Sequence, residues 1–360
     1  MDPANRPFLL NEALAHERTV QSLKKLFFSW GYLPVQTPLL DFYDTYKPFL
    51  DAAATEKIYR LIDREGDLLM LRSDVTLFLA KQLGQLQNRD LPLRIFYADN
   101  ILRHEYAQLV SRNEFYQIGA ELIGLCSHFA DLEVLMLLVK CLAEAGLADY
   151  RIHLGSTAVF SSAFPKLGEE ELSPALKAVS RRNANPVRDL VSRRGGSKNE
   201  ADFFAELFLY IGDGEGLTGL LERGKSKSFV SADLEKSITS LLVMWDELVK
   251  LKVSGLFRFD LSETASQNYY TGMVFQAYKD GIDSAFAMGG RYDKLLARFG
   301  FEAPAAGFSL MLRKIERFLQ PHTVDHVIEY AKGQSFAEAY KNAEKKRLEG
   351  LNVIIKEGKT

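Results

Sequence analysis

Between residues 9 and 30 the apolar positions Leu14, Val20, Leu23, Leu26, Phe27 and Trp30 recur at helical spacing, and Gly31 stands where a helix should stop. The pattern predicts a long amphipathic helix. "YLPVQTPLLDFYD" follows as a strand interrupted by Pro34 and Pro38, residues tolerated only at a sheet edge or a strand end. "KIYRLIDREGDLLMLRSD" reads as a hairpin, two strand runs joined around Glu65, Gly66 and Asp67. "VTLFLAKQLGQL" returns to helical periodicity, whereas "LRIFYADNILRHEY" is strand-like and "NEFYQIGAELIG" alternates as a strand does. Residues 129–146 predict a helix ended by Gly146.

From about residue 156 to 250 the pattern changes to short helical stretches punctuated by Pro174, Pro186, Gly195, Gly196 and "GDGEG", which predicts a mostly helical insertion. Strand signals resume at "LFRFDLSE" and "YYTGMVFQAYKD" and run through "SAFAMGGRYDKLLARFG" to the helix "FSLMLRKIERFLQ". The last 40 residues spell strand, helix, strand, enough for one βαβ unit.

Composition narrows the class. No run of about 18 apolar residues occurs, and the start lacks the basic-then-apolar order of a signal peptide, so the cytoplasm is the expected compartment. Forty-five basic against 47 acidic residues leave a charge of -2, which argues against a protein whose whole surface binds nucleic acid. The Arg-rich stretch 180–198 is expected to be a solvated helix face and turn. Cys126 and Cys141 match no disulfide framework or ligand spacing and are expected to be buried thiols.

Four stretches can carry chemistry. In "LRHEY" Arg103 and Glu105 share one side of a strand, and in "FYQIGAELIG" Gln117, Gly119 and Glu121 do the same. "NYYTG" offers phenols, and "MGGRYD" sets Arg291, Tyr292 and Asp293 beside a glycine turn. Such a set suits a small zwitterion with a polar side chain: an ammonium needs acceptors, a carboxylate needs donors, and an imidazole needs a partner at each nitrogen. No phosphate loop or nucleophilic triad is readable. His322 and His326 stand four apart with no third ligand close by, so no metal and no cofactor is expected.

The order of these motifs, a long helix with a Pro-bearing strand, "LRSDVT", "LRHEY", "FYQIGAELIG", a helical insert, "NYYTG" and "GGRYD", resembles the catalytic core of histidyl-tRNA synthetases over roughly residues 8–320. The resemblance implies an α+β fold of the class II synthetase type, an antiparallel sheet flanked by helices. The core would be residues 1–155 and 251–320, the insertion 156–250, and a short βαβ stub 321–360. It further implies a histidine pocket in which Gln117 holds the amino group, Glu121 and Tyr270 hold the imidazole, Tyr292 closes the site and Arg103 takes part. The family's usual glutamate contact to the amino group falls on Lys57. Because adjacent strand residues face opposite sides, Tyr270 is expected inward and Tyr269 elsewhere.

The reaction centre departs from the synthetase pattern. The arginine at the head of the tyrosine motif is Ala265, an expected arginine of the basic loop is Ser111, and the third signature ends in Lys314, which cannot give an arginine's bidentate geometry. A full synthetase also continues for about another domain. A core that keeps its amino-acid half and loses its adenylation half resembles the regulatory-subunit family of short-form ATP phosphoribosyltransferases. That resemblance implies a non-catalytic, allosteric role in the first step of histidine biosynthesis, with L-histidine as ligand and a catalytic transferase subunit as partner. It implies also a homodimer within a hetero-oligomer, with residues 12–40 at the homodimer contact, and no tRNA. A divergent synthetase or other amino-acid-activating ligase, and a tRNA-binding scaffold, are the alternatives.

Overall fold

The computed structural model describes residues 11–50, 52–85, 90–104, 113–263, 269–319, 326–330, 335–351 and 353–357. Contacts divide the chain into two compact units, residues 20–318 and residues 1–19 with 319–360. In chain order the elements begin with α1 (Asn11–Ser29), β1 (Leu33–Pro34), β2 (Leu40–Phe42), α2 (Tyr43–Tyr46), α3 (Ala52–Glu56), β3 (Arg60–Ile62), β4 (Leu68–Leu71) and α4 (Val75–Gly84). They continue with β5 (Leu93–Leu102), β6 (Glu114–Ile123), α5 (His128–Glu144) and β7 (Tyr150–Ser156). Next come α6 (Thr157–Ala163), α7 (Glu169–Val179), α8 (Asn185–Arg193), α9 (Lys198–Phe208), β8 (Ile211–Gly212), α10 (Gly214–Ser226) and α11 (Ala232–Lys250). The chain then runs through β9 (Phe257–Asp260), β10 (Met273–Lys279), β11 (Ala287–Arg291), β12 (Ala305–Met311), α12 (Leu312–Ile315), β13 (His326–Tyr330), α13 (Phe336–Leu348) and β14 (Val353–Glu357).

The main sheet has nine strands in the order β1-β5-β6-β12-β11-β10-β7-β9-β8. It is largely antiparallel, as expected, with two parallel pairs, β1 with β5 and β7 with β9. Pro34 lies on the edge strand, where its missing N–H breaks no ladder. The predicted hairpin is β3 and β4, turned at Gly66 with φ 92°, and β2 completes a small second sheet. On α1, Val20, Leu23 and Phe27 are buried, and Phe27 stacks on Phe96 of β5 at 4.9 Å between ring centroids. β7 has no counterpart in the expectations, although Tyr150, Ile152 and Leu154 alternate inward with Arg151 outside.

Between Thr157 and Lys250 the described elements are the helices α6 to α11 and the two-residue β8, which extends the main sheet through β9. Phe160, Phe164, Phe204 and Phe208 pack their rings together among these helices. The Arg-rich stretch is only partly a solvated face. Arg182 pairs with buried Asp260 at 2.5 Å, Arg188 with Asp202, and Arg194 lies over the Phe164 ring. Cys141 is buried on α5, but Cys126 is exposed, contrary to expectation, because it falls in the turn before α5 rather than on an apolar face. In the C-terminal residues β13 and β14 pair in parallel with α13 between them in sequence.

Candidate functional site

Alternation along β6 sends Gln117, Gly119 and Glu121 to one face of the main sheet, and both polar side chains are buried. Glu121 lies opposite Gly307 of β12 in register. A Cβ at 307 would stand 1.5 Å from Glu121 Oε2, so only glycine leaves the carboxylate its place. Two hydroxyls hold that carboxylate. Thr76 Oγ1 on the first turn of α4 donates to Oε1 at 2.8 Å, and Tyr292, just past β11, donates through a short hydrogen bond to Oε2. Thr76 is placed by the helix start itself, because Asp74 caps α4 by accepting from the Leu77 N–H at 3.2 Å.

These groups meet in a narrow cleft lined by Asp74, Thr76, Glu121, Tyr269, Tyr270 and Tyr292, with Met288 and Ser309 at the sheet surface. Both tyrosines of the "NYYTG" pair line it, not Tyr270 alone. β10 begins only at Met273, so strand alternation does not govern residues 269 and 270. Their rings lie 4.9 Å apart, and Tyr269 meets Tyr292 edge-on at 5.7 Å. Gly290 gives Tyr270 room, since a Cβ there would come within 2.9 Å of its ring.

The electrostatics follow from what is bonded to what. Burial pushes the Glu121 carboxyl up to about 8, against the hydrogen bonds from Tyr292 and Thr76 that favour the carboxylate, and nearby Asp74 pushes the same way as burial. Burial likewise raises the Tyr269, Tyr270 and Tyr292 phenols, so all three remain O–H groups at neutral pH. Gln117 accepts from the Val75 N–H at 3.4 Å through Oε1, while its Nε2 is a buried donor with no partner among the described residues. Together the groups supply a proton-sharing acid, phenolic O–H groups and an acidic side chain for a cation.

The structure brings Glu121, Tyr270 and Tyr292 together in the cleft, while Gln117 is buried on the same face of β6 at the Val75 N–H and does not line it. Arg103 does not line the cleft; it donates to the Ser73 carbonyl at 2.7 Å and to Asp74 at 3.4 Å. The family's glutamate position falls on Lys57, which is not among the lining residues; the cleft's second acid beside Glu121 is Asp74. "LRSDVT" marked motif order only; its Asp74 and Thr76 were the overlooked signal. Lys314, on α12, donates to Ser284 Oγ at 2.7 Å and the Ala285 carbonyl at 2.9 Å. Ala265, Ser111 and Glu105 lie outside the described residues.

The sequence model of the histidyl-tRNA synthetase family matches residues 6–315. A protein of Moorella thermoacetica called ATP phosphoribosyltransferase regulatory subunit is 33% identical over 84% of this chain and 78% of its own. One of the same description from Caldanaerobacter subterraneus subsp. tengcongensis is 30% identical over 97% of this chain and 90% of its own. This chain belongs to the family of ATP phosphoribosyltransferase regulatory subunits. A crystal structure from Bacillus halodurans, described as an ATP phosphoribosyltransferase regulatory subunit/histidyl-tRNA synthetase, superposes with a TM-score of 0.82 at 25% identity, covering 99% of this chain and 92% of that one. Histidyl-tRNA synthetase from Nostoc sp. PCC 7120 superposes at 0.80 with 20% identity, which shows the shared fold. The fold is thus the class II synthetase fold, and the role of the family that carries it here is regulatory rather than catalytic.

Proposed function

We propose that the cleft is an L-histidine receptor through which this regulatory subunit conveys feedback inhibition to a short-form ATP phosphoribosyltransferase catalytic subunit. Glu121 carries the proposal. It is a buried acid held by two neutral hydroxyls, able to give or take a proton at about neutral pH, which matches an imidazole better than an alkyl or amide side chain. Asp74 and Gln117 would receive the amino end, Tyr270 the second ring nitrogen, and Tyr292 would close the site. A sensor needs only different affinity in two states of a complex, so the cleft has a use without adenylation chemistry.

Residues 1–155 and 251–320 would form the receptor core around the insertion at 156–250. Homodimerisation is the expected assembly of that core. Its support is apolar exposure: Leu33, Leu39 and Leu40 within the expected contact at 12–40 lie uncovered, as do Phe42, Leu61, Ile62 and Leu68 on the small sheet β2-β4-β3. Among the described residues no helix is long and apolar enough to cross a membrane, in keeping with a cytoplasmic site of action. Calorimetric titration with L-histidine and, separately, with ATP tests the proposal. Histidine binding without ATP binding is expected, followed by histidine-dependent inhibition when the catalytic transferase is added. ATP binding with pyrophosphate exchange would put the ligase alternative in its place.

A further inference from the structure

A second group of polar side chains converges elsewhere on the main sheet. His153 of β7, Asp260 at the end of β9 and Glu263 just beyond it each bring one ligand-type atom within 4.8 Å of the others. His153 Nδ1 lies 3.3 Å from Asp260 Oδ2 and 3.9 Å from Glu263 Oε1. That nitrogen is closed off from solvent and faces both carboxylates. A ring nitrogen set against two carboxylate oxygens is an arrangement that a cation between them stabilises.

Both carboxylates are also oriented from outside. Asp260 Oδ1 accepts from the Ser262 hydroxyl at 2.6 Å and the Ser262 N–H at 3.1 Å, while Glu263 accepts from Tyr278 at 2.6 Å and Gln276 at 2.7 Å. Outer hydrogen bonds of this kind fix the direction of metal-ligating side chains. Tetrahedral bonds of about 2.0–2.2 Å leave ligand atoms some 3.3–3.6 Å apart; His153 Nδ1 and Asp260 Oδ2 already stand at 3.3 Å, while Glu263 Oε1, at 3.9 Å from the nitrogen, would have to draw in. One other cation is at hand: Arg182 Nη2 stands 2.5 Å from Asp260 Oδ2, on a side chain 45% exposed.

We propose that His153, Asp260 and Glu263 bind a divalent transition-metal ion of the zinc class, with Arg182 as the competing cation on Asp260. One imidazole nitrogen and two carboxylate oxygens suit zinc or its neighbours, and a fourth position is left for water. The site stands apart from the histidine cleft and does not depend on it. The sequence could not display it, because His153 comes from one strand and the two acids from the end of another far along the chain.

The full chain, treated with chelator and dialysed, is titrated with zinc chloride by calorimetry and with cobalt chloride by visible absorption. One ion per chain is expected, with a cobalt spectrum of nitrogen and oxygen coordination. His153→Ala and Glu263→Gln should each weaken binding roughly tenfold or more. Arg182→Ala, which removes no ligand, should tighten it. Zinc binding that is absent, or equally strong in His153→Ala and Glu263→Gln, overturns the proposal. So does unchanged or weaker zinc affinity in Arg182→Ala, the deciding comparison if circular dichroism shows that a ligand variant fails to fold.

Discussion

Glu121 and Asp260 are both carboxylates almost wholly out of water, 1% and 2% exposed, yet they titrate in opposite directions. Burial works to raise both. Glu121 is bonded to two neutral hydroxyls, so burial prevails and the carboxyl is pushed up to about 8. Around Asp260 the bonds from His153 and Ser262 and the charge of Arg182 outweigh burial, and the carboxyl is held below its usual range. Partners as well as depth therefore separate an acid poised to exchange a proton with an incoming ring from one fixed as an anion.

The strongest blow to the Glu121 side of this contrast is Gly307→Ala. Its methyl would fall 1.5 Å from Glu121 Oε2, so the carboxylate or the β6–β12 pairing must move. Histidine binding should disappear in calorimetry, and urea unfolding should show a loss of about 1–3 kcal/mol from overpacking. Glu121→Ala comes next. It leaves the backbone undisturbed but removes the imidazole partner, and should weaken histidine by about 1.5–3 kcal/mol, as for hydrogen bonds to a charged group. Equal histidine affinity in Glu121→Ala would break the assignment of the ring to this acid.

The two acids also predict opposite limbs of a stability profile. Glu121 has a folded value raised above its usual 4.5, so between about pH 4.5 and 8 the folded state holds more protons than the unfolded state. Stability from this group is present at low pH and falls as pH rises through that window. Asp260 has a folded value lowered below its usual 3.8, so its contribution is present above that value and is lost as pH falls below it. Thermal melts across pH should show Glu121→Gln flattening the neutral-to-alkaline decline, and Arg182→Ala weakening the stabilisation carried on the acid side. A Glu121→Gln profile parallel to the parent's would remove the poised acid from the comparison.

What the sequence made legible was periodic and local. The β3–β4 hairpin, the edge proline and the shared face of Gln117, Gly119 and Glu121 follow from turn chemistry and two-residue alternation, and the structure places all of them. The motif order led to the family. What stayed hidden depended on tertiary placement. Asp74 and Thr76 enter the cleft because α4 starts there; the Asp74 cap is local and readable as an Asp before a helical run, but that this helix start faces Glu121 of β6 is set only by tertiary placement. His153 and Asp260 meet because β7 and β9 pair in parallel, a crossover that no local pattern announces. Tyr269 was turned away by a strand rule applied to residues that precede the strand.

The tyrosine pair gives the finest test of how the cleft is built. Tyr270 to Phe removes one neutral phenolic hydrogen bond to the ligand and keeps the ring, so it should weaken histidine by about 0.5–1.5 kcal/mol. Tyr269 also lines the cleft, and its ring meets both Tyr270 and Tyr292, the latter bonded to Glu121. If Tyr269 contributes only its ring, Tyr269→Phe leaves affinity unchanged, whereas Tyr269→Ala loosens Tyr292 and lowers it. If instead the Tyr269 hydroxyl touches the ligand, the two Phe variants lose similar amounts, and the double variant loses the sum provided the hydroxyls act independently. An unchanged affinity in Tyr270→Phe, with a loss in Tyr269→Phe, would exchange their roles and move the second ring nitrogen of the ligand to Tyr269.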